Sequence, residues 1–182
     1  DEFALLVVAV QWEALTTNFA DRVLSAGNLL TLWLVFPIVK ALHEMGHAYA
    51  TKSRGGEVHE MGVMLLVFNP VPYVDSSSAN AFRSKLDRAL VGAAGMLVET
   101  ALAAVATFVW VLAEPGLVRA LCFNVMVIAG ISTVIFNLNP LLRYDGYYIL
   151  ADLIEIPNLG TRANRHWQYL ADRHLFGVRN PE

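Results

Sequence analysis

Residues 28–50 read NLLTLWLVFPIVKALHEMGHAYA, and this stretch decides the fold. A helix needs about 20 predominantly apolar residues to cross the hydrocarbon core of a bilayer, and this stretch has that length. Only Lys40, His43, Glu44 and His47 interrupt its apolar character. The sequence therefore predicts a membrane-spanning helix that carries a group of ionisable side chains.

The composition of the whole chain favours a membrane protein. Only 16% of the 182 residues are charged, against about 25% in an ordinary soluble domain, and the mean hydropathy is +0.48. Disorder and a nucleic-acid partner are both excluded, since each requires charge that this chain lacks. Buried helices of a soluble α-helical protein would need more polar surface than the sequence provides. The lipid bilayer is therefore the expected surroundings of the chain.

Two further apolar stretches reach bilayer length. The second predicted span covers residues 89–113 and contains a single charged residue, Glu99, and the third covers residues 117–136. Glu114-Pro115-Gly116 separates them, because a helix cannot continue through this turn. The sequence thus predicts three transmembrane helices within a single domain, residues 1–182.

Basic residues set the expected topology. They concentrate between the first and second spans and after the third, whereas the other connections hold few of them. The residues concerned are Lys52, Arg54, Arg83, Lys85, Arg88, Arg143, Arg162, Arg165, Arg173 and Arg179. By the positive-inside rule both segments are cytoplasmic, and three spans place them consistently on one side.

Three shorter segments complete the predicted fold. Residues 3–10, FALLVVAV, look like the end of a longer helix, so we expect the chain to be a piece of a longer protein. Residues 55–72 combine glycines, β-branched residues and prolines, which is typical of a short hairpin or flap. Residues 161–179 have the pattern of an interfacial helix, although a solvated amphipathic helix has it too. The predicted class is an all-α integral membrane protein with a short β-like loop after the first helix and a C-terminal interfacial helix.

The sequence His43-Glu44-Met45-Gly46-His47 predicts a metal site. Residues four apart share a helix face, so both imidazoles can approach one ion, and Glu44 is close enough to hold a metal-bound water. Two core histidines beside a surface carboxylate are the simpler alternative. Ionisable groups in a membrane helix are costly, however, and usually functional, which favours the metal site.

A catalytic zinc site needs a third protein ligand and an open position. The extended HExxHxxGxxH pattern is absent, because Ala50 and Ser53 occupy the positions of its glycine and third histidine. Asp145 is the best-placed candidate, since it follows the third span on the side where the first span ends. A turn-forming role is the alternative for an aspartate before glycine. Loop candidates also stay open: Glu57, His59, Glu60 and Asp75.

Glu99 allows several interpretations. It can be a fourth ligand, a hydrogen-bond partner of His43 or His47, or a group that holds substrate backbone. A protonated carboxyl bonded between helices is the alternative without a functional role. The sequence also predicts that Lys40 snorkels to the membrane surface.

A wider motif resembles that of a known family. The pattern Asn137-x-x-Pro140-x-x-x-Tyr144-Asp145-Gly146, together with HExxH in a membrane helix, resembles the site-2 protease family of intramembrane zinc metalloproteases. Residues 139–159 look most like its peptide zinc metalloprotease branch, and the resemblance covers residues 28–179. The chain departs from the family pattern at Leu142, at Tyr144 and at Glu99, where proline, leucine and asparagine are usual.

The resemblance implies both a site and an activity. It implies His43, His47 and Asp145 as Zn²⁺ ligands, Glu44 as the general base, and Asn137 as a group that positions substrate or stabilises the oxyanion. The implied substrate is a membrane-bound or exported peptide. The expected location is the bacterial cytoplasmic membrane, with the site near the cytoplasmic side.

Two alternatives to a protease remain at this stage. One is a non-catalytic zinc-binding component of a peptide-export or envelope-adaptor assembly, although Glu44 would then have no task. The other is a metal transporter, which needs a path of polar residues through the outer halves of the spans. Apart from Thr31, Asn124, Ser132 and Thr133, these halves are apolar.

Overall fold

A computed structural model describes residues 2–177, and its architecture is mostly helical with one small sheet. Arg179, one of the basic residues counted above, lies outside the described part. The elements in chain order are α1 (Glu2–Val10), α2 (Trp12–Thr16), α3 (Phe19–Leu24), α4 (Ala26–Ser53), β1 (Met61–Leu66), β2 (Asn69–Val74), a 3₁₀ turn (Ser77–Ala81), α5 (Lys85–Leu112), α6 (Leu117–Ile131), a π-helical turn (Ser132–Asn137), α7 (Asp145–Leu153) and α8 (Leu159–His174).

Three helices are long and apolar enough to cross a membrane, as predicted. The first is α4, the second is α5, and the third is α6 together with the π-helical turn, residues 117–137. Each matches one predicted span, with its ends shifted by up to four residues. A polar cap explains the early start of α5, because the Ser84 hydroxyl accepts a hydrogen bond from the backbone N–H of Asp87 at 3.3 Å.

The long helices pack into a bundle with α5 between α4 and α6. Glycine allows a close approach of α4 and α5, since a Cβ on Gly46 of α4 would lie only 2.9 Å from the carbonyl oxygen of Ala94 on α5. Between α4 and α6, Val35, Val39 and Ile128 form a buried apolar cluster. This packing holds the face of α4 that carries the histidines against α5.

The predicted β-like segment is an antiparallel hairpin. Its register runs from Met61 opposite Val74 to Leu66 opposite Asn69. The two-residue turn, Val67 and Phe68, has positive φ angles of 48° and 63°, the values of a type I′ turn that normally favours asparagine and glycine. Strand β2 packs against α4, whereas β1 is the outer strand.

The C-terminal segment forms the amphipathic helix α8, and none of its residues is buried. Its outward aromatic side chains include Trp167, which is largely exposed. Helix formation agrees with the sequence analysis, whereas the position of α8 at a membrane surface stays a prediction.

Candidate metal centre

Three side chains from two distant parts of the chain converge on one point. His43 and His47 lie on successive turns of α4, and Asp145 is the first residue of α7. The two Nε2 atoms are 3.1 Å apart, and Asp145 Oδ2 lies 3.2 Å from Nε2 of His43 and 3.6 Å from Nε2 of His47. Within the described residues, this is the one group of three or more potential ligands.

These distances fit a tetrahedral metal ion. Ligand atoms about 2.0–2.1 Å from zinc at tetrahedral angles lie roughly 3.3–3.4 Å from one another. The three separations of 3.1, 3.2 and 3.6 Å scatter around that value. The three atoms can therefore form one face of a tetrahedron and leave its fourth corner open.

Unpaired polar atoms support the same interpretation. Asp145 Oδ2 is buried and has no hydrogen-bond partner among the described residues, and an unpaired buried oxygen is costly. The Asp145 carboxylate is thus available to a cation. The donor set of two imidazoles and one carboxylate suits zinc.

A backbone contact fixes the orientation of His47. Its Nδ1 lies 2.7 Å from the carbonyl oxygen of Val91 on α5. A carbonyl can only accept, so Nδ1 carries the proton and donates. The lone pair of the neutral ring is then on Nε2, which faces Asp145 and His43.

Two glycines make room for the convergence. A Cβ on Gly95 of α5 would overlap the rings of both His43 and His47. A Cβ on Gly146 would overlap the backbone of Asn137 and lie 2.9 Å from the carbonyl carbon of Leu138. Gly146 therefore lets the start of α7 pack against the π-helical turn, and this packing brings Asp145 to α4.

Glu44 lines the same cavity as His43 and Asp145. Its side chain is half-buried and makes no ion pair or hydrogen bond to another described residue. The structure thus places Glu44, the predicted base, beside the cluster, and its carboxylate has no partner among the described residues.

Glu99 lies on the far side of His43 and is not in the three-residue cluster. It is fully buried, with 0% of its surface exposed, and its Oε1 lies 3.1 Å from Nδ1 of His43, although the contact is poorly aligned for a hydrogen bond. Nδ1 is the ring atom opposite the one that faces Asp145. Glu99 is thus not a member of the ligand group. It contacts a predicted ligand from outside that group, and its hydrogen bonds run between helices, to Lys40, Thr133 and Asn137, as in the alternative of a carboxyl bonded between helices.

The prediction for Lys40 was wrong. Its side chain does not extend to a helix end. Instead, Nζ contacts Oε1 of Glu99 at 2.7 Å and the hydroxyl of Ser132. The ion pair is largely buried, because a carboxylate in the same helix bundle offers a better partner than the bundle's end.

Asn137 belongs to the polar network around Glu99. Its Nδ2 donates to Oε2 of Glu99 at 3.4 Å, and Thr133 Oγ1 donates to the same oxygen at 2.6 Å. Asn137 also lines the cavity. In the sequence, Thr133 and Ser132 are isolated polar residues of an apolar stretch; their spacing from Asn137 on one helix is the signal that indicates a network.

The loop residues considered as third ligands have other partners or lie apart from the cluster. Glu60 accepts a hydrogen bond from Tyr73, and Asp75 accepts one from the backbone N–H of Ser77 at 2.9 Å. Hydrogen bonds from the Ser77 hydroxyl and backbone hold the pKa of the Asp75 carboxyl below its ordinary value. Neither these residues nor Glu57 and His59 join the described ligand cluster.

A cavity of about 720 Å³ opens beside the cluster. Side chains of α4, the hairpin, the C-terminal part of α6 and the π-helical turn form most of its wall, and most of them are apolar. They include Trp33, Phe36, Leu66, Val71, Ile131 and Phe136. The polar part of the wall includes His43, Glu44 and Asp145, and Lys40, Asn69, Ser132 and Asn137 also line the cavity.

The chain was compared with protein-family models, curated proteins and solved structures, and none of the three comparisons gave a match.

Proposed function

We propose that this chain is an integral membrane zinc metallopeptidase of the site-2 protease type. The main support for this proposal is the set of three ligand atoms at tetrahedral spacings beside Glu44, whose carboxylate has no partner among the described residues. The resemblance in the HExxH segment and in Asn137–Gly146 supports the same proposal. The expected ion is Zn²⁺, held by His43, His47 and Asp145.

The proposed roles beyond metal binding fall to residues that line the cavity. When bound, zinc would supply a Lewis acid that lowers the pKa of a coordinated water to about 7. Glu44 accepts the proton of the attacking water and returns it to the leaving amine. Asn137 is the proposed additional donor toward the scissile carbonyl oxygen.

The cavity supports an apolar peptide as substrate. Its wall is mostly apolar and includes the polar groups His43, Glu44 and Asp145. Because a helix hides its amides, a cleavable segment must be extended, and the hairpin offers a strand edge for pairing. A membrane-bound or exported peptide fits these requirements.

The location follows from the long helices and the basic segments. Three helices have bilayer length and composition, and large apolar side chains are exposed along them, including Leu34, Ile38, Leu97, Val105 and Ile135. Exposed apolar surface on this scale needs lipid around it. With the basic segments in the cytoplasm, the cluster lies near the cytoplasmic side, and a bacterial cytoplasmic membrane is the proposed site.

The non-catalytic zinc component is the second candidate. It would require only the three ligands, so the free carboxylate of Glu44 favours the protease. A metal transporter is less well supported. Among the described residues, Asn28 and Asn124 form a polar pair in the outer half of the bundle. The apolar cluster of Val35, Val39 and Ile128 lies between this pair and Lys40 along α4 and α6.

Metal analysis of the detergent-purified protein tests the proposal first. We expect about one zinc per chain in the parent and a sharp reduction in His47→Ala and Asp145→Ala. His166→Ala is the matched control, since His166 stacks on Tyr169 in α8, away from the cluster. Zinc retained in Asp145→Ala would remove that ligand from the proposal. A folded parent without zinc would contradict the metal centre.

Cleavage is tested separately with the zinc-loaded protein in lipid vesicles. A panel of apolar single-span peptides provides the substrates, and Glu44→Gln is the inactive control. Zinc binding without cleavage of any peptide would favour the non-catalytic component.

A further inference from the structure

The most unusual feature outside the ligand set is an ion pair between two long helices. Lys40 of α4 and Glu99 of α5 are joined at 2.7 Å, and the Glu99 carboxylate is fully buried. Taking a charged pair out of water is costly even when the pair is well formed. Apolar residues would stabilise the same interface at least as well, so the pair needs another explanation.

Both oxygens of Glu99 are held in place. Oε1 receives Lys40 Nζ at 2.7 Å and faces Nδ1 of His43 at 3.1 Å. Oε2 accepts from Thr133 at 2.6 Å and from Asn137 at 3.4 Å. With both oxygens fixed, the carboxylate cannot turn away from the His43 ring.

We propose that Glu99 is the positioning residue of His43, and that Lys40 holds Glu99 in that role. A carboxylate next to Nδ1 keeps the proton on that nitrogen, so the lone pair is on Nε2, the atom that faces Asp145 and His47. Glu99 thus acts on His43 through its charge, at 3.1 Å from Nδ1, whereas the Val91 carbonyl acts on His47 through a hydrogen bond of 2.7 Å. This inference rests on the proposed metal centre and extends it to α5.

The charge of the centre explains why the second partner of Glu99 is a lysine. Three carboxylates surround the cluster, those of Glu44, Glu99 and Asp145, and Lys40 carries one positive charge. Together these four groups carry two net negative charges, which a divalent cation would neutralise. Without Lys40, the loaded centre would keep a net negative charge in a low-dielectric environment, which is costly. The position of Lys40 one turn before His43 lets a single helix supply the ligand and the counter-charge.

Two double variants isolate the orienting contact. Lys40→Met/Glu99→Gln and Lys40→Met/Glu99→Leu both remove the ion pair and the charges. Only the first keeps an oxygen that can accept from Nδ1 of His43. Zn²⁺ affinity is measured by competition with a chromophoric chelator, and the visible spectrum of the Co²⁺-loaded protein reports the coordination geometry.

We expect the Leu double variant to bind Zn²⁺ about 10–100-fold more weakly than the Gln double variant, with a changed Co²⁺ spectrum. Asn124→Leu is the control, since it removes a buried polar link between α4 and α6 away from the cluster and should leave affinity unchanged. Equal affinities of the two folded double variants would overturn the inference while leaving the metal centre intact. A parent that binds no metal would overturn both.

Thr133→Val supplies a test if the Leu double variant does not fold. It keeps every charge and removes one donor to Glu99 Oε2, so we expect a smaller loss of Zn²⁺ affinity, about 3–10-fold. An unchanged affinity and Co²⁺ spectrum in this variant would count against the positioning role.

Discussion

Asp145 Oδ2 lies 3.2 Å from Nε2 of His43. The two residues are far apart in the chain, since His43 belongs to the first long helix and Asp145 follows the third. Their approach depends on residues that are not ligands. Gly95 makes room for the imidazoles, and Gly146 lets α7 pack against the π-helical turn. Metal binding is therefore expected to be sensitive to small changes on α5 and α7, and not only to loss of a ligand.

Gly95→Ala should disrupt the centre without removing a ligand. The new methyl group would overlap both histidine rings, and α5 cannot move away from α4 without loss of its packing at Gly46. We expect Zn²⁺ affinity to fall by at least about 100-fold, measured by chelator competition. Gly130→Ala is the matched control, because a Cβ there meets nothing within 4 Å; equal affinities in the two variants would contradict the proposed geometry.

Glu44→Gln should separate binding from catalysis. Glutamine keeps the size of the side chain but cannot accept the proton of the attacking water. We expect zinc content to match the parent, while cleavage of an apolar peptide falls by about 10²–10⁴-fold. Glu57→Gln, on the exposed loop after α4, should cleave like the parent. Parent-like cleavage by Glu44→Gln would assign the base to another residue.

Metal affinity should rise with pH. Imidazole binds a metal ion only in its neutral form, so protons compete with zinc for His43 and His47. As pH falls below the range in which histidine is neutral, affinity should decrease by up to about 100-fold per pH unit, because two protons are taken up for each ion released. Competition titrations between about pH 8 and about pH 5.5 measure this slope. A flat profile would exclude two histidine ligands.

The local part of the centre could be predicted from sequence, because helical spacing alone brings His43 and His47 together. Asp145 required knowledge of how α7 packs, so the residues alone left four loop candidates open. The predicted spans followed from length and apolar content, and the hairpin from the glycines, β-branched residues and prolines of its segment, although its turn, Val67-Phe68, lacks the usual turn residues. Packing determined the rest.

Lys40 shows why a polar network is harder to predict than a ligand pair. An isolated lysine in an apolar helix has two outcomes, extension to the helix end or pairing inside the bundle. The outcome depends on whether Glu99 of α5 faces α4 closely enough to reach Lys40. This contact requires the close approach of the two helices at Gly46. No single segment of the sequence contains that information.

The hairpin has one edge that can accept another strand. In a hairpin with a two-residue turn, Leu66 and Asn69 form a hydrogen-bonded pair. Hydrogen-bonded pairs then alternate with non-hydrogen-bonded pairs along the ladder. The hydrogen bond from the N–H of Asp75 to the carbonyl of Glu60, at 2.8 Å, fits this alternation. Val63 and Leu65 therefore direct their N–H groups away from β2. The residues opposite them on β2 are Pro72 and Pro70. Because proline has no N–H, the outer edge of β2 offers no donor at these positions.

Val63→Pro and Leu65→Pro should therefore impair substrate pairing while preserving the hairpin's own ladder. Each removes one outward donor, worth about 0.5–1.5 kcal/mol, so we expect KM for an extended apolar peptide to rise about 2–10-fold with zinc content unchanged. Val63→Ala keeps the N–H and should behave like the parent. Met64→Pro removes a ladder bond instead and should lower thermal stability. If the two outward proline variants cleave with the parent's KM, the substrate does not pair with β1, and the cavity wall formed by α4 and α6 becomes the binding surface.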